Sequence, residues 1–221
     1  MRKVAVVVAH ADDEVLGCGG TLYKHSLSGD TIHVLYICGP ELVGRTGWPD
    51  TLDQERRKAL AIIGNGNITF KVLDYPDQML DTIPLLRITQ AIEEELIPYQ
   101  PDIIYTHSGT DLNEDHKRVY KAVMAAARPC SMDPQRILSF EVLSSTEWSS
   151  EAFWPNYFEH IGQFIKQKCM AMKAYKSELR SGPHSRSIRK MQALAEYRGA
   201  QIGRDYAEGF VVIRERGEVC H

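Results

Sequence analysis

The chain has little excess charge of either sign and no long apolar run. Its 26 Lys and Arg residues nearly balance 29 Asp and Glu residues, which gives a formal net charge of −3 at pH 7. A nucleic-acid-binding protein usually carries a clear basic excess, so nucleic acid is not an expected partner. No apolar stretch approaches the roughly 20 residues of a membrane span. The apolar start, VAVVVA, lacks the length and the cleavage site of a signal peptide.

Cysteine is also scarce, and the five present form no C-x-x-C pair. An odd number of widely separated cysteines is not typical of a disulfide framework, so we expect reduced thiols in a cytoplasmic protein. Cys18 lies close enough to the first motif described below to be a candidate nucleophile, although a buried packing thiol is the commoner role. The five are Cys18, Cys38, Cys130, Cys169 and Cys220.

Internal repeats, low-complexity tracts and linkers are absent too, and 221 residues suit one domain over residues 1–221 with a full core. Short apolar, β-branched runs alternate with amphipathic segments, which predicts right-handed βαβ units. The expected fold is a Rossmann-like three-layer α/β/α sandwich with a mostly parallel sheet. Strands are predicted at 3–9, 31–38, 67–73, 101–107, 136–143 and 208–214; helices at 15–27, 52–64, 85–98, 116–127, 158–175 and 188–202.

Two segments hold almost all the clustered His and Asp residues, and each follows a predicted strand. They are HADDE (residues 10–14) after the first strand and HSGTDLNEDH (residues 107–116) after the fourth. Loops at the carboxyl ends of parallel strands surround the ligand crevice of such sheets. These two strands are commonly neighbours in doubly wound sheets, so we expect the two loops to meet.

The residue types in these loops suit a catalytic zinc site, which needs about three protein ligands and an open position for water. His10 and Asp13 can face one point across a turn, and His116 can supply a third ligand from the second loop. Asp12, beside Asp13, would then be free to act as a general base on a metal-bound water. Asp115 could accept a hydrogen bond from a ligating imidazole and fix its tautomer.

Other interpretations of the same residues remain open at this stage. Asp12 or Asp13 could cap the following helix, and Glu114 and Asp115 could begin the next one, because acids favour helix N-termini. His116 would then be an ordinary surface residue. The GCGG stretch could cradle a phosphate in a dinucleotide-binding domain, although it matches neither the P-loop nor G-x-G-x-x-G.

Three segments resemble one known family. AHADDEVLGCGGTL (9–22) resembles the A-H-P-D-D-E signature of the LmbE-like (PIG-L) zinc deacetylases, and DLNEDHKRVYKAV (111–123) resembles that family's second motif. RGAQIGRDYAEGFVVIR (198–214) is similar to its C-terminal element, so the resemblance runs from residue 3 to about residue 215.

This resemblance implies a Rossmann-like fold and removal of the acetyl group from an N-acetylated amino sugar, often GlcNAc joined to another group. It implies zinc, or another divalent metal such as Fe²⁺, on His10, Asp13 and His116. It also implies that Asp12 is the general base.

The chain departs from the family pattern at several positions. Asn113 stands where several members have a histidine thought to stabilise the oxyanion or to act as an acid, and Ala11 replaces the usual proline. His184, in SGPHSRS, is the best replacement candidate for the acid, with a solvated loop histidine as the alternative. Tyr197 matches a tyrosine that some relatives place near the site, although it could equally belong to the core.

The substrate-binding residues are less defined. Relatives tend to carry an arginine where this chain has Leu52, so Arg56, Arg57 or Arg45 could take that role. Trp48 could stack on a sugar ring or anchor its loop.

The segment 166–204 has ten Lys or Arg against two Glu. That composition is typical of solvated helix faces but would also suit a phosphorylated, nucleotide-linked or lipid-linked sugar. We therefore expect a zinc-dependent deacetylase of an acetamido sugar. The protein could form a homo-oligomer. The alternatives are an amidase acting on a sugar-thiol conjugate and a non-catalytic Rossmann-type sugar- or nucleotide-binding domain.

Overall fold

The computed structural model describes residues 1–39 and 49–217, and its centre is a mixed seven-stranded sheet. The sheet order is β3-β2-β1-β4-β5-β7-β6. The first five strands are parallel, and β7 runs antiparallel to both β5 and β6. The strands are β1 (Lys3–Val8), β2 (Thr31–Cys38), β3 (Ile68–Tyr75), β4 (Ile103–His107), β5 (Arg136–Phe140), β6 (Tyr157–His160) and β7 (Ala207–Glu215).

Helices cover both faces of the sheet. Alternate residues of β1 point to opposite sides: Val4, Val6 and Val8 join a core with α1, α2, α5 and α6, whereas Ala5 and Val7 join a core with α3 and α4. The predicted three-layer sandwich with a mostly parallel sheet is therefore confirmed. The helices are α1 (Asp13–Leu27), α2 (Pro49–Gly64), α3 (Leu85–Tyr99), α4 (Glu114–Ala126), α5 (Ile165–Ala174) and α6 (Ile188–Ala200). Within the described ranges, none of them combines the length and apolarity needed to cross a membrane.

One predicted element is wrong. The apolar spacing of Phe158, Ile161 and Ile165 predicts a long helix over 158–175, but Tyr157–His160 forms the edge strand β6 and α5 begins only at Ile165. Tyr157 and Phe158 pair with Phe210 and Gly209 of β7. This pairing involves residues about fifty positions away, so local periodicity cannot reveal it.

The sheet order places the two His- and Asp-rich loops together. β1 and β4 are adjacent and parallel, with Val7 opposite Thr106. The chain continues from β1 toward β2 and β3 on one side, and from β4 toward β5 on the other. The loops that follow β1 and β4 therefore leave the same edge of the sheet at its topological switch point, where open α/β sheets bind their ligands.

Candidate metal centre

The loop after β1 turns sharply into α1 at Asp12, whose backbone is left-handed (φ 91°, ψ −23°). Asp12 is the N-cap residue by position, but its side chain makes no capping hydrogen bond. Asp13 instead accepts a hydrogen bond from the backbone N–H of His10 at 2.8 Å. The capping interpretation therefore holds only for position: Asp12 is the N-cap residue and Asp13 lies in the first turn, but no side-chain capping hydrogen bond engages Asp12.

The loop after β4 is built by two local hydrogen bonds. Asp111 Oδ1 accepts from the N–H of Asn113 at 2.8 Å, and Asn113 Oδ1 accepts from the N–H of Asp115 at 2.9 Å. Asn113 is thus the N-cap of α4. His116 follows in the first turn and is buried rather than on the surface.

Three side chains from the two loops converge on one point. His10 Nδ1 lies 3.2 Å from His116 Nε2, and Asp13 Oδ2 lies 3.5 Å from each of these nitrogens. Bonds of about 2.0–2.1 Å in a tetrahedral zinc site place neighbouring ligand atoms about 3.3 Å apart. The donor set predicted from the sequence therefore fits a divalent cation in both chemistry and spacing.

Each imidazole is oriented by a carboxylate on its far side. His10 Nε2 lies 2.9 Å from Asp115 Oδ2 and 2.8 Å from Asp77 Oδ1, while His116 Nδ1 lies 3.2 Å from Asp111 Oδ2. These contacts place the N–H of each ring away from the convergence point and leave the other nitrogen as a ligand. The sequence reasoning assigned such a role to Asp115 but missed Asp77 and Asp111.

Asp111 also connects the site to the loop after β5. It accepts hydrogen bonds from the hydroxyls of Ser145 and Thr146, the latter at 2.6 Å. Burial alone would raise the pKa of Asp111, but the contacts with His116 and the two hydroxyls outweigh it and lower the pKa to about 2. Asp111 is therefore a carboxylate at neutral pH. The sequence signal that could have identified Asp111 was its position within the second His- and Asp-rich loop, residues 107–116.

His107 supports the His116 ring by packing against it. Its ring stacks on His116 with centroids 3.9 Å apart and an interplanar angle of 11°. His107 Nε2 accepts a hydrogen bond from the N–H of Ala9 at 2.9 Å, which assigns the ring proton to Nδ1. Burial lowers the pKa of His107 to about 4, so this ring packs as a neutral group.

His10 also belongs to a second group of possible metal-ligating side chains, with Cys38, Asp77 and Asp115. Asp115 in that group already accepts backbone hydrogen bonds from Gln78 at 2.7 Å and Leu80 at 3.0 Å. These bonds fix it as a support for the imidazole. The His10–Asp13–His116 group is the better ligand set.

A cavity of about 350 Å³ opens above the ligand atoms. Asp12 lines it and is almost fully buried. Burial and the neighbouring charge of Asp13 raise the pKa of Asp12 well above its usual range, and Arg186 opposes this shift. Further lining residues include Leu52, Arg56, Gln78, Asn113, Ser144, Ser145, Glu178 and Arg186.

Several residues proposed from the sequence lie elsewhere. His184 is not among the cavity-lining residues; its ring packs against Trp148 and its Nδ1 accepts from the N–H of Arg186 at 3.0 Å. Tyr197 is 60% exposed on α6 and is also absent from the lining. Of the two arginines described on α2, Arg56 lines the cavity and Arg57 does not. Arg45, Trp48 and Cys220 fall outside the described residues.

The glycines of GCGG serve packing rather than phosphate binding. A Cβ atom at Gly17 would lie 2.2 Å from a ring carbon of Phe140, and one at Gly20 would lie 2.9 Å from Ile161. Cys18 is buried, and burial raises the pKa of its thiol well above the usual value. Cys18 is therefore a packing residue and not a nucleophile.

The chain is similar to several known proteins. The family model described as PIG-L: GlcNAc-PI de-N-acetylase matches residues 5–127. An uncharacterized deacetylase of Escherichia coli (strain K12), YaiS, is 32% identical over 187 residues, which cover 80% of this chain and 91% of that protein. A diacetylchitobiose deacetylase of Thermococcus kodakarensis is 26% identical, with 95% and 82% covered.

A solved structure, the conserved protein TT1542 from Thermus thermophilus, superimposes with a TM-score of 0.82 at 26% identity and covers 99% of this chain and 98% of its own. The family match includes both loops of the candidate metal centre. The chain therefore belongs to the PIG-L family.

Proposed function

We propose that this protein is a metal-dependent N-deacetylase that acts on an acetamido sugar or a small conjugate of one. The observation that carries the proposal is the convergence of His10, Asp13 and His116 on the floor of a cavity. Beside them lies Asp12, which is buried and whose side chain makes no capping hydrogen bond. The relatives named as deacetylases, one of them acting on diacetylchitobiose, support the reaction class.

His10, Asp13 and His116 would hold zinc, with Fe²⁺ as the alternative metal. When bound, such a cation polarises an acetyl carbonyl and lowers the pKa of nearby water toward about 7. The chain contributes the orientation of the ligands through Asp111, Asp115 and Asp77. His107 fills the space beneath His116 and excludes water from that side.

Asp12 carries the proton in this proposal. Its carboxylate accepts a proton as water attacks the acetyl carbon, so that a carbon–oxygen bond forms. The same proton then passes to the leaving nitrogen as the carbon–nitrogen bond breaks, which gives acetate and a free amine. Asn113 cannot transfer a proton, and His184 does not line the cavity, so Asp12 serves as both base and acid.

Asn113 keeps a supporting role. Asn113 lines the cavity, and because its Oδ1 is engaged in capping α4, its Nδ2 amide is the group left as a hydrogen-bond donor. A donor at this position can stabilise the negative charge that develops on the acetyl oxygen.

We propose a neutral sugar rather than a phosphorylated one, because the basic segment 166–204 contributes one residue to the cavity and the other lining arginine, Arg56, is paired with Asp53. Of the ten basic residues in 166–204, Arg186 is the one that lines the cavity, and it contacts two carboxylates. Lys168 and Arg198 are paired with Glu208 and Glu141. The hydroxyls and amides of Ser144, Ser145 and Gln78 are suited to sugar hydroxyl groups.

The test combines metal analysis with acetate release. Purified protein should hold about one zinc per chain and release acetate from at least one member of a panel of N-acetylated amino sugars. Asp12→Asn should keep the metal and lose most of the activity, typically 10²–10⁴-fold for a general base. His116→Ala should lose both metal and activity, while Asp81→Asn, an exposed aspartate, serves as a control.

Three results would contradict the proposal in different ways. Metal loss in Asp12→Asn would mean that ligand and base are exchanged. Release of an acid other than acetate would favour the amidase. Absence of stoichiometric metal, together with ligand binding that survives His116→Ala, would favour a non-catalytic binding domain.

A further inference from the structure

We infer that Arg186 is a positioning residue for the general base: its guanidinium holds the Asp12 carboxylate in the orientation needed for proton transfer. The inference rests on the proposed function, which gives Asp12 that role. Arg186 lies in the loop between α5 and α6, and its Nη1 is 3.5 Å from Asp12 Oδ2. Both residues line the cavity.

Asp12 has few other restraints. Its side chain makes no helix-capping bond, and within the described ranges Arg186 is its one hydrogen-bonding side-chain partner. The neighbouring Asp13 carries a like charge, which disfavours any orientation of Asp12 that brings the two carboxylates together. The repulsion from Asp13 and the attraction of Arg186 together limit the rotamers open to Asp12.

Arg186 is itself anchored at two points. Its Nη1 donates to Glu178 Oε2 at 2.8 Å, and its backbone N–H donates to His184 Nδ1 at 3.0 Å. His184 in turn packs edge-to-face against Trp148 with ring centroids 6.0 Å apart. Glu178 and His184 thus act through Arg186, which gives His184 an indirect place near the site although it does not line the cavity.

The guanidinium has donor capacity left over. Its Nε is buried without a hydrogen-bond partner among the described residues, and one nitrogen, Nη1, serves both carboxylates. A purely structural arginine of this burial would usually have its donors paired. The loose 3.5 Å contact leaves Asp12 able to reach a water molecule while the charge of Arg186 limits its rotation.

The decisive variants are Arg186→Ala and Arg186→Lys in the metal-loaded protein. We expect Arg186→Ala to lower kcat about 10- to 100-fold, because a misplacement of about 1 Å can cost about 100-fold in rate. KM for the N-acetylated sugar and the zinc content should stay close to those of the unmodified protein. Arg186→Lys should keep part of the kcat that Arg186→Ala loses. Methylguanidinium added to the Arg186→Ala variant should restore part of its kcat. Glu178→Gln should cause a smaller loss.

Arg180→Ala is the matched control, because Arg180 lies in the same loop, donates to Ser177 O and does not line the cavity. Its kcat should be unchanged. In the Asp12→Asn background, Arg186→Ala should cause little further loss, since both act on one step.

Four outcomes would overturn the inference: unchanged kcat, a raised KM with unchanged kcat, loss of metal or fold in both Arg186 variants, or a full additional loss in the double variant. A proposed function that fails would be recognised separately, by activity that survives Asp12→Asn.

Discussion

At the scale of single residues, the site is defined by what each carboxylate contacts. Asp13 points to the two ligand nitrogens, Asp111 and Asp115 hold the far sides of the imidazoles, and Asp12 faces the cavity. All four have the same functional group and come from two short loops. Their different roles follow from backbone direction, including the left-handed turn at Asp12, and not from residue type.

Asp111→Asn should weaken zinc binding about 10- to 100-fold, the usual effect of removing a partner of a ligating histidine. The neutral amide no longer stabilises the His116 ring in its ligating orientation, and it must also face two hydroxyl donors. Competition with a chromophoric chelator measures the change. The exposed Asp81→Asn is the control, and an affinity equal to that of the unmodified protein would show that Asp111 does not orient His116.

At the scale of secondary structure, α1 begins at the candidate site and is held by hydrogen bonds to a side chain of β7. The helix is interrupted at Cys18 (φ −143°, ψ 19°), and the first backbone N–H groups after such a break, here those of Gly20 and Thr21, can be satisfied by partners outside the helix. Glu208 of β7 accepts both, at 2.9 and 2.7 Å. Lys168 of α5 neutralises Glu208, so the C-terminal element of the chain holds the first helix in place.

Gly17→Ala should destabilise the protein by about 1–3 kcal/mol, the usual cost of overpacking a core. The added methyl group would overlap the Phe140 ring and push the start of α1 away from β5. Gly19→Ala is a close control, because its Cβ would meet Val15 at an ordinary 3.4 Å. Urea unfolding followed by circular dichroism compares the two. Equal stabilities would mean that Phe140 can move at little cost.

At the scale of the whole molecule, the apolar core is formed without the candidate metal ligands. Two apolar clusters lie on opposite faces of the sheet, and β1 is buried between them. The candidate metal centre lies at the edge of the sheet, where loops from separate strands meet. Metal binding should therefore add to a fold that already exists, unlike the small domains that unfold without zinc.

Chelation should accordingly lower Tm while leaving the far-ultraviolet circular dichroism spectrum unchanged. A ligand that binds the native state alone stabilises it by about 2.7 kcal/mol at a free concentration of 100 Kd. Differential scanning calorimetry with and without zinc measures the shift, and His116→Ala should abolish it. Unfolding on chelation would show that the cation is part of the core.

Much of this fold was predictable from the sequence, because short-range patterns determine the buried strands and the amphipathic helices. The apolar run of β1 and the helices α1 to α4 correspond to predicted elements, and the ligand trio was proposed from residue type at strand ends. Strand β6 was missed, since Tyr157 and Phe158 are strand residues only because β7 lies beside them.

By itself, the sequence determined the hydrophobic periodicity, the loops that carry His and Asp, and the family motifs. Only the tertiary structure decided which charged groups meet: Asp77, Asp111 and Arg186 approach the site from three separate loops, while Tyr197 lies outside it. The physical reason is that periodicity and residue type depend on near neighbours along the chain. Contacts between loops depend on sheet order and on how each loop folds back over the sheet edge.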